Sequence, residues 1–167
     1  MITARVCFVC SGNICRSPTA EVVLRRLAED AGWGERLVLD SAGMGDWHAG
    51  HDMDARSRAT LDAAGYSCSR HTAKQFTSAD FATRDVVVAL DRGHRDALWW
   101  LAAETSDVAG ARAKIVLLRS FDATAGDDLD VPDPYFGGNT GFADVLAQLE
   151  RGCAGLLTHL LQRSALA

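Results

Sequence analysis

The chain has 167 residues, 48% hydrophobic and 23% charged, the balance of a globular protein long enough to bury its own core. A formal net charge of −5 at pH 7 argues against a general nucleic-acid binder and against recruitment to an anionic membrane surface, since both need a basic face. No apolar run approaches the roughly 18 residues of a membrane span and no leader-like segment opens the sequence, so the expectation is one domain over 1–167 in the cytoplasm.

The first predicted element is a buried strand, RVCFVC (5–10), in which Cys7 packs into the core. It runs into a tight loop, CSGNICRSP (10–18), and then a helix over 18–31 with Ala20, Val23, Leu24 and Leu27 on one face. Ser17 and Pro18 read as its N-cap and first helical residue. A more polar strand follows at RLVLDSA (36–42), then a helix over 54–64. The run DVVVAL (85–90) is a third strand. Residues 93–103 form a helix whose Trp99 and Trp100 read as core packing, with exposure of one of the two rings left open, and KIVLL (114–118) is a fourth strand. The last helix places Phe142, Val145, Leu146, Leu149, Cys153, Leu156, Leu157 and Leu160 at helical spacing. Strands alternating with helices imply βαβ units around a parallel sheet, which binds ligands at the carboxyl ends of its strands. The loop after Cys10 lies at such an end.

A simple turn has no use for an arginine or a sulfur. A loop joining a buried strand to a helix aims amide N–H groups and the positive end of the helix dipole at one point. Gly12 is expected to take a conformation that a β-carbon would resist. Arg16 offers a planar fork that matches two phosphate oxygens, and Ser17 can bond the sulfur or cap the helix. Cys10 lies at the bottom of this positive nest, where a thiolate is favoured, and a thiolate beneath a bound phosphate is an in-line nucleophile. The loop lacks the lysine of GxxxxGK[ST] and the glycines of GxGxxG, and Cys7, Cys10 and Cys15 have no further partners at zinc spacing. The five cysteines read as reduced thiols. Cys15 is expected to come close enough to Cys10 for a reversible disulfide. His48, His51, His94 and His159 show no metal spacing and read as surface or loop residues. Asp133, bracketed by Pro132 and Pro134, sits in a stiff segment suited to a carboxyl that must meet a leaving oxygen.

VCFVCSGNICRSPTAE, with its C-x5-R-S spacing, is joined by DSAG (40–43), DWHAG (46–50), RHTAKQ (70–75), ALDR (89–92) and DPYFGG (133–138). Together they resemble the bacterial low-molecular-weight protein tyrosine phosphatases over nearly the whole chain. The resemblance implies an α/β fold, a flavodoxin-like doubly wound sheet of four parallel strands with helices on both faces, and no metal or other cofactor. It implies a signalling enzyme that hydrolyses phosphotyrosine in protein substrates through a phosphocysteine intermediate, with phosphate as product. Cys10 is then the nucleophile, Arg16 the phosphate-binding arginine and Asp133 the general acid. Ser11, Gly12, Asn13, Ile14, Cys15 and Ser17 complete the phosphate loop, and Asn13, Ser17, Ser41 and His71 match positions that brace it. Trp47, Tyr135 and Phe136 are the implied walls for the substrate ring, Phe136 standing where a second tyrosine is common. Ile14 stands where relatives that look like arginine phosphatases have threonine, and Asp91 matches a position near the loop.

Three other readings fit less well. Arsenate reductases of this fold need an extra pair of close cysteines, and Cys68 and Cys153 are far apart in the chain. A phosphocysteine carrier of sugar uptake needs neither Arg16 nor Asp133. A non-catalytic phosphotyrosine-binding module has no use for a nucleophile and an acid together.

Overall fold

The computed structural model describes residues 1, 3–137 and 139–166; Gly138, which closes the DPYFGG segment, lies outside the described residues. Strands β1 (Ala4–Cys10), β2 (Leu37–Gly43), β3 (Val86–Ala89) and β4 (Ile115–Leu117) form one parallel sheet in the order β2-β1-β3-β4. Helices α1 (Arg16–Asp30), α2 (Ala55–Ala63), α3 (Arg92–Leu101), α4 (Val108–Ala113) and α5 (Asn139–Ala165) flank it. The arrangement is flavodoxin-like.

Alternation along β1 explains the two layers. Val6, Phe8 and Cys10 join a core with Val23 and Leu24 of α1 and Leu149 and Leu156 of α5. Cys7 and Val9 face the other way, toward Leu98 of α3 and Ala111 of α4. A strand covered on both faces has no polar side, so it reads as an unbroken apolar run. Burying a leucine such as Leu149 or Leu156 is worth enough that truncation to alanine costs about 2–5 kcal/mol.

Helix α5 carries Gly152 and Gly155 in its interior, where glycine costs about 1 kcal/mol relative to alanine. Close approach requires them. A Cβ at Gly155 would lie 2.0 Å from the Phe121 carbonyl oxygen, and one at Gly152 would lie 2.7 Å from Leu118 Cγ.

Three expectations need correction. Helix α1 begins at Arg16, with Cys15 as an N-cap that makes no side-chain bond, so Ser17 and Pro18 lie inside its first turn. Helix α4 was not anticipated, because six residues, VAGARA, are too few and too small to show an apolar period. Trp99 and Trp100 are 46% and 74% exposed rather than in the core. The inner face of α3 is carried by Leu98, and the next two positions along a helix rotate away from it. His94, four residues before Leu98, shares that inner face and is buried.

Candidate active site

The loop that follows β1 opens at the switch point, where β2 and β3 lie on opposite sides of the first strand. Cys10 is 3% exposed, and its Sγ lies 3.0 Å from Ser17 Oγ in the first turn of α1. Between the two roles open to it, Ser17 takes the sulfur. The left-handed residue is Asn13 (φ 58°), not Gly12, where an added Cβ would come first against the His48 ring, 2.8 Å from its Cδ2.

Asparagine tolerates this conformation better than most residues, and here it is also over-determined. Asn13 is fully buried. Its Nδ2 donates to Ser17 Oγ (2.8 Å) and Ser41 Oγ (3.0 Å), and its Oδ1 accepts the Lys74 amide (3.0 Å). Its carbonyl accepts from His71 Nε2 at 2.7 Å. Ser41 in turn donates to Glu21 Oε2 at 2.8 Å. Glu21, the last residue of the VCFVCSGNICRSPTAE stretch, is a brace that the sequence reading did not name.

Gly43 is another. In the register of the sheet it pairs with Cys10, and a Cβ there would lie 2.7 Å from the Ser11 carbonyl oxygen and 3.1 Å from the Asn13 amide. The amides of Met44 and Gly45 donate to the carbonyls of Cys10 (2.8 Å) and Ser11 (3.1 Å), so residues 43–45 form a backbone floor beneath the loop. Gly43→Ala is therefore expected to lower kcat/KM for an aryl phosphate by roughly tenfold or more, since sub-ångström placement governs such sites. Circular dichroism and steady-state kinetics on one preparation test this; wild-type kinetics would mean that the loop does not depend on this contact.

Arg16 is 4% exposed and held from one end. Its Nη1 donates to Asp91 Oδ2 and to the Val131 carbonyl, both at 2.9 Å. Asp91 is the N-cap of α3, which fixes its carboxylate. Val131 is buried and donates its amide to the Leu90 carbonyl at 2.9 Å, just past β3. Two residues on, Asp133 Oδ2 lies 3.5 Å from Arg16 Nη2, and its Oδ1 accepts the Tyr135 amide at 3.1 Å. A clamp to the sheet end thus delivers a distant carboxylate to the loop.

Cys10 and Arg16 line a cavity of about 160 Å³, with Ile14, Trp47, Asp133 and Tyr135 around it. Trp47 (68% exposed) and Phe136 (89%) are rim groups, and Tyr135 packs edge-on against Phe136 with centroids 4.9 Å apart. His48 also lines this mouth, contrary to its reading as a plain loop residue. His94 departs furthest from its reading. It is 5% exposed, with Nε2 2.9 Å from Ser11 Oγ and Nδ1 3.1 Å from Asp91 Oδ1. Its signal was the spacing to Leu98. His51 and His159 are exposed. A larger open groove of about 740 Å³ between α2 and α5 is lined mainly by alanines.

All five cysteines are free, and burial pushes the Cys15 thiol up to about 12. Burial also raises Cys153. Among the described residues no group of three or more His, Cys, Asp or Glu side chains is placed to hold a metal ion, and no helix is long and apolar enough to cross a membrane.

Cys10 and Arg16 thus share one cavity at the switch point of a flavodoxin-like sheet, where such sheets bind ligands. Residues 5–165 match the low molecular weight phosphotyrosine protein phosphatase family. A Streptomyces coelicolor low molecular weight protein-tyrosine-phosphatase is 52% identical over 163 residues, covering 97% of this chain and 96% of the relative. A protein tyrosine phosphatase from Entamoeba histolytica superposes with a TM-score of 0.87 at 32% identity, covering 96% of this chain and 99% of that one. A Drosophila arginine phosphatase superposes with a TM-score of 0.84 at 32% identity, over 92% of this chain and 96% of that one. The chain belongs to the low-molecular-weight phosphotyrosine protein phosphatase family, and it is an enzyme of the phosphatase class.

Proposed function

We propose that the protein hydrolyses phosphotyrosine in protein substrates through a phosphocysteine intermediate. The observation that carries this reading is Arg16: with Nη1 occupied by Asp91 and Val131, its Nε–H and Nη2 side is left for a phosphate above Cys10. In the first step the Cys10 sulfur attacks phosphorus, the P–O bond to the phenol breaks, and Asp133 gives the departing oxygen its proton. In the second step water attacks phosphorus, Asp133 takes a proton from that water, and the P–S bond breaks to release phosphate. The Ser17 hydroxyl, which also reaches the Ala42 carbonyl at 3.3 Å, can turn its proton to the sulfur as it leaves. Arg16 and the loop amides hold the equatorial oxygens, since phosphoryl transfer needs positioning and charge more than covalent help. Free cysteines throughout suit a reducing, cytoplasmic setting.

The similarity to an arginine phosphatase means that fold alone does not choose the phospho-residue. Ile14 at the cavity wall and the rings of Trp47 and Tyr135 give an apolar channel suited to a phenyl ring, through which a short phosphoserine would fall short. Against phosphotyrosine, phosphoserine and phosphoarginine peptides, phosphotyrosine should be cleaved best. Ile14→Thr should raise phosphoarginine turnover relative to phosphotyrosine. A wild-type preference for phosphoarginine would reject the tyrosine reading while leaving the cysteine chemistry intact.

The same loop suits reversible oxidation. Peroxide converts the Cys10 sulfur to a sulfenic acid, releasing hydroxide; the Cys15 thiol, pushed up to about 12 by burial, then gives up its proton to the departing oxygen as its sulfur displaces water to form the disulfide, a step that this burial slows. Mild peroxide should inactivate the wild type in a way that dithiothreitol reverses, and Cys15→Ser irreversibly. Irreversible loss in both would remove Cys15 from this role.

A further inference from the structure

Ser11, on the phosphate loop, stands with His94 and Asp91 behind it in the relative positions of a Ser–His–Asp hydrolase site. None of the chemical steps above uses Ser11 or His94. We propose that His94 is a positioning residue for the phosphate-binding arginine: it keeps its proton on Nδ1 against Asp91 and accepts a hydrogen bond from the Ser11 hydroxyl on Nε2. Ser11 is thereby left as an acceptor toward Arg16. The proposal rests on Arg16 being the phosphate ligand.

The tautomer follows from charge. Asp91 Oδ1 lies 3.1 Å from Nδ1, and a bare lone pair there would face an anionic oxygen, so the proton sits on Nδ1. The contact is too bent to make a hydrogen bond and acts through charge alone, the same oxygen capping α3 by accepting the His94 amide at 2.8 Å. Nε2 then carries a lone pair and can only accept from Ser11 Oγ, 2.9 Å away. The ring is neutral at pH 7: burial, with the Arg16 guanidinium, pushes it down to about 4 against the opposing pull of Asp91, Asp133 and Asp130. So weak a base scarcely activates a serine, which sets aside Ser11 as a second nucleophile.

The consequence falls on Arg16. Its guanidinium has five N–H donors, two of which, on Nη1, are taken by Asp91 and Val131. Of the remaining three, one on Nη2 points to Ser11 Oγ at 3.5 Å, while Asp133 lies at the same distance from that nitrogen. This leaves Nε–H and one Nη2–H as a fork for two phosphate oxygens. A serine proton free to rotate would oppose Nη2 donor to donor, or turn into the cavity toward the phosphate. His94 removes both options. It also shares Asp91 with Arg16, so one carboxylate sets the angle of the fork and the tautomer of the ring.

The test uses the full chain. In a long-range 1H–15N spectrum of the wild type at pH 7, His94 should show a protonated Nδ1 and an unprotonated Nε2. The reverse tautomer, or an imidazolium, overturns the proposal without any variant being needed. For function, His94→Gln places an amide near the Nε2 position and can still accept from Ser11, whereas His94→Asn reaches only the Nδ1 position. The readouts are inhibition by inorganic phosphate and kcat with p-nitrophenyl phosphate. His94→Asn should weaken phosphate binding roughly 3–10-fold, the scale of one hydrogen bond, and His94→Gln should recover most of that loss. In a Ser11→Ala background the gap between the two should close. Equal affinities for the two variants with Ser11 present, or a gap that survives without it, overturns the proposal. A wild-type protein that neither binds phosphate nor turns over p-nitrophenyl phosphate would sink the phosphatase reading instead.

Discussion

Cys10→Ser is expected to release no measurable phosphate from any aryl phosphate while binding phosphate or vanadate about as well as the wild type. The two halves of this result come from different atoms. The anion nest consists of loop amides at the start of α1 and the Arg16 guanidinium, whose anchors at Asp91 and Val131 do not involve the sulfur. Asn13 keeps the loop in shape through Ser41, Lys74 and His71, and these contacts also survive the change. Attack, in contrast, belongs in the proposed mechanism to the sulfur alone: a serine hydroxyl needs a base to become a nucleophile, and the side chain placed against position 10 is the hydroxyl of Ser17. Calorimetric phosphate binding and turnover on one preparation separate the two. Retention of most of the activity would take Cys10 out of the mechanism, and loss of phosphate binding would mean that the sulfur builds the nest.

How much of this was legible in the sequence depended on whether a signal was local. β1, with the loop behind it, was readable because a fully buried strand is an unbroken apolar run, and because an arginine and a cysteine in a turn have no structural excuse. α5 was readable from its period. The misreadings inside the site share a cause, which is that a deciding neighbour lies far along the chain. Gly12 looked like the strained residue, whereas Asn13 bears the positive φ because Ser41, Lys74 and His71 converge on it. His94 looked like a surface histidine because its partners are Ser11 and Asp91, and Ser11 is on another element. Gly43 carries no side chain to announce that the loop rests on it. Trp99 and Trp100 show the reverse error: large apolar rings suggested burial, but their angle on α3 turns them outward.

Asp133→Ala should lower turnover of a phosphotyrosine peptide by roughly 10²–10⁴-fold, the share usually supplied by a general acid. The more discriminating expectation is that the loss shrinks as the leaving group improves. The phenol of tyrosine departs poorly as an anion, so the proton from Asp133 matters in the first step. A nitrophenol is a much stronger acid and leaves without that help, so its P–O cleavage should fall far less. The anchoring of this segment makes the comparison clean. The Val131 carbonyl binds Arg16 and its amide binds Leu90, both through backbone atoms that an alanine at position 133 leaves in place. The Asp133 side chain contributes only a 3.5 Å contact to Arg16 Nη2 and a 3.1 Å bond to the Tyr135 amide. Its removal therefore takes away a proton donor more than a structural support, and phosphate should still bind as a product inhibitor. In the proposed mechanism Asp133 is also the base for the second step, so some loss should remain even with the best leaving group, visible as a burst of phenol ahead of slow phosphate release. Equal losses for both leaving groups, with weakened phosphate binding, would mean that the substitution had displaced Arg16, and Asp133 would then be a structural partner of the arginine rather than the acid.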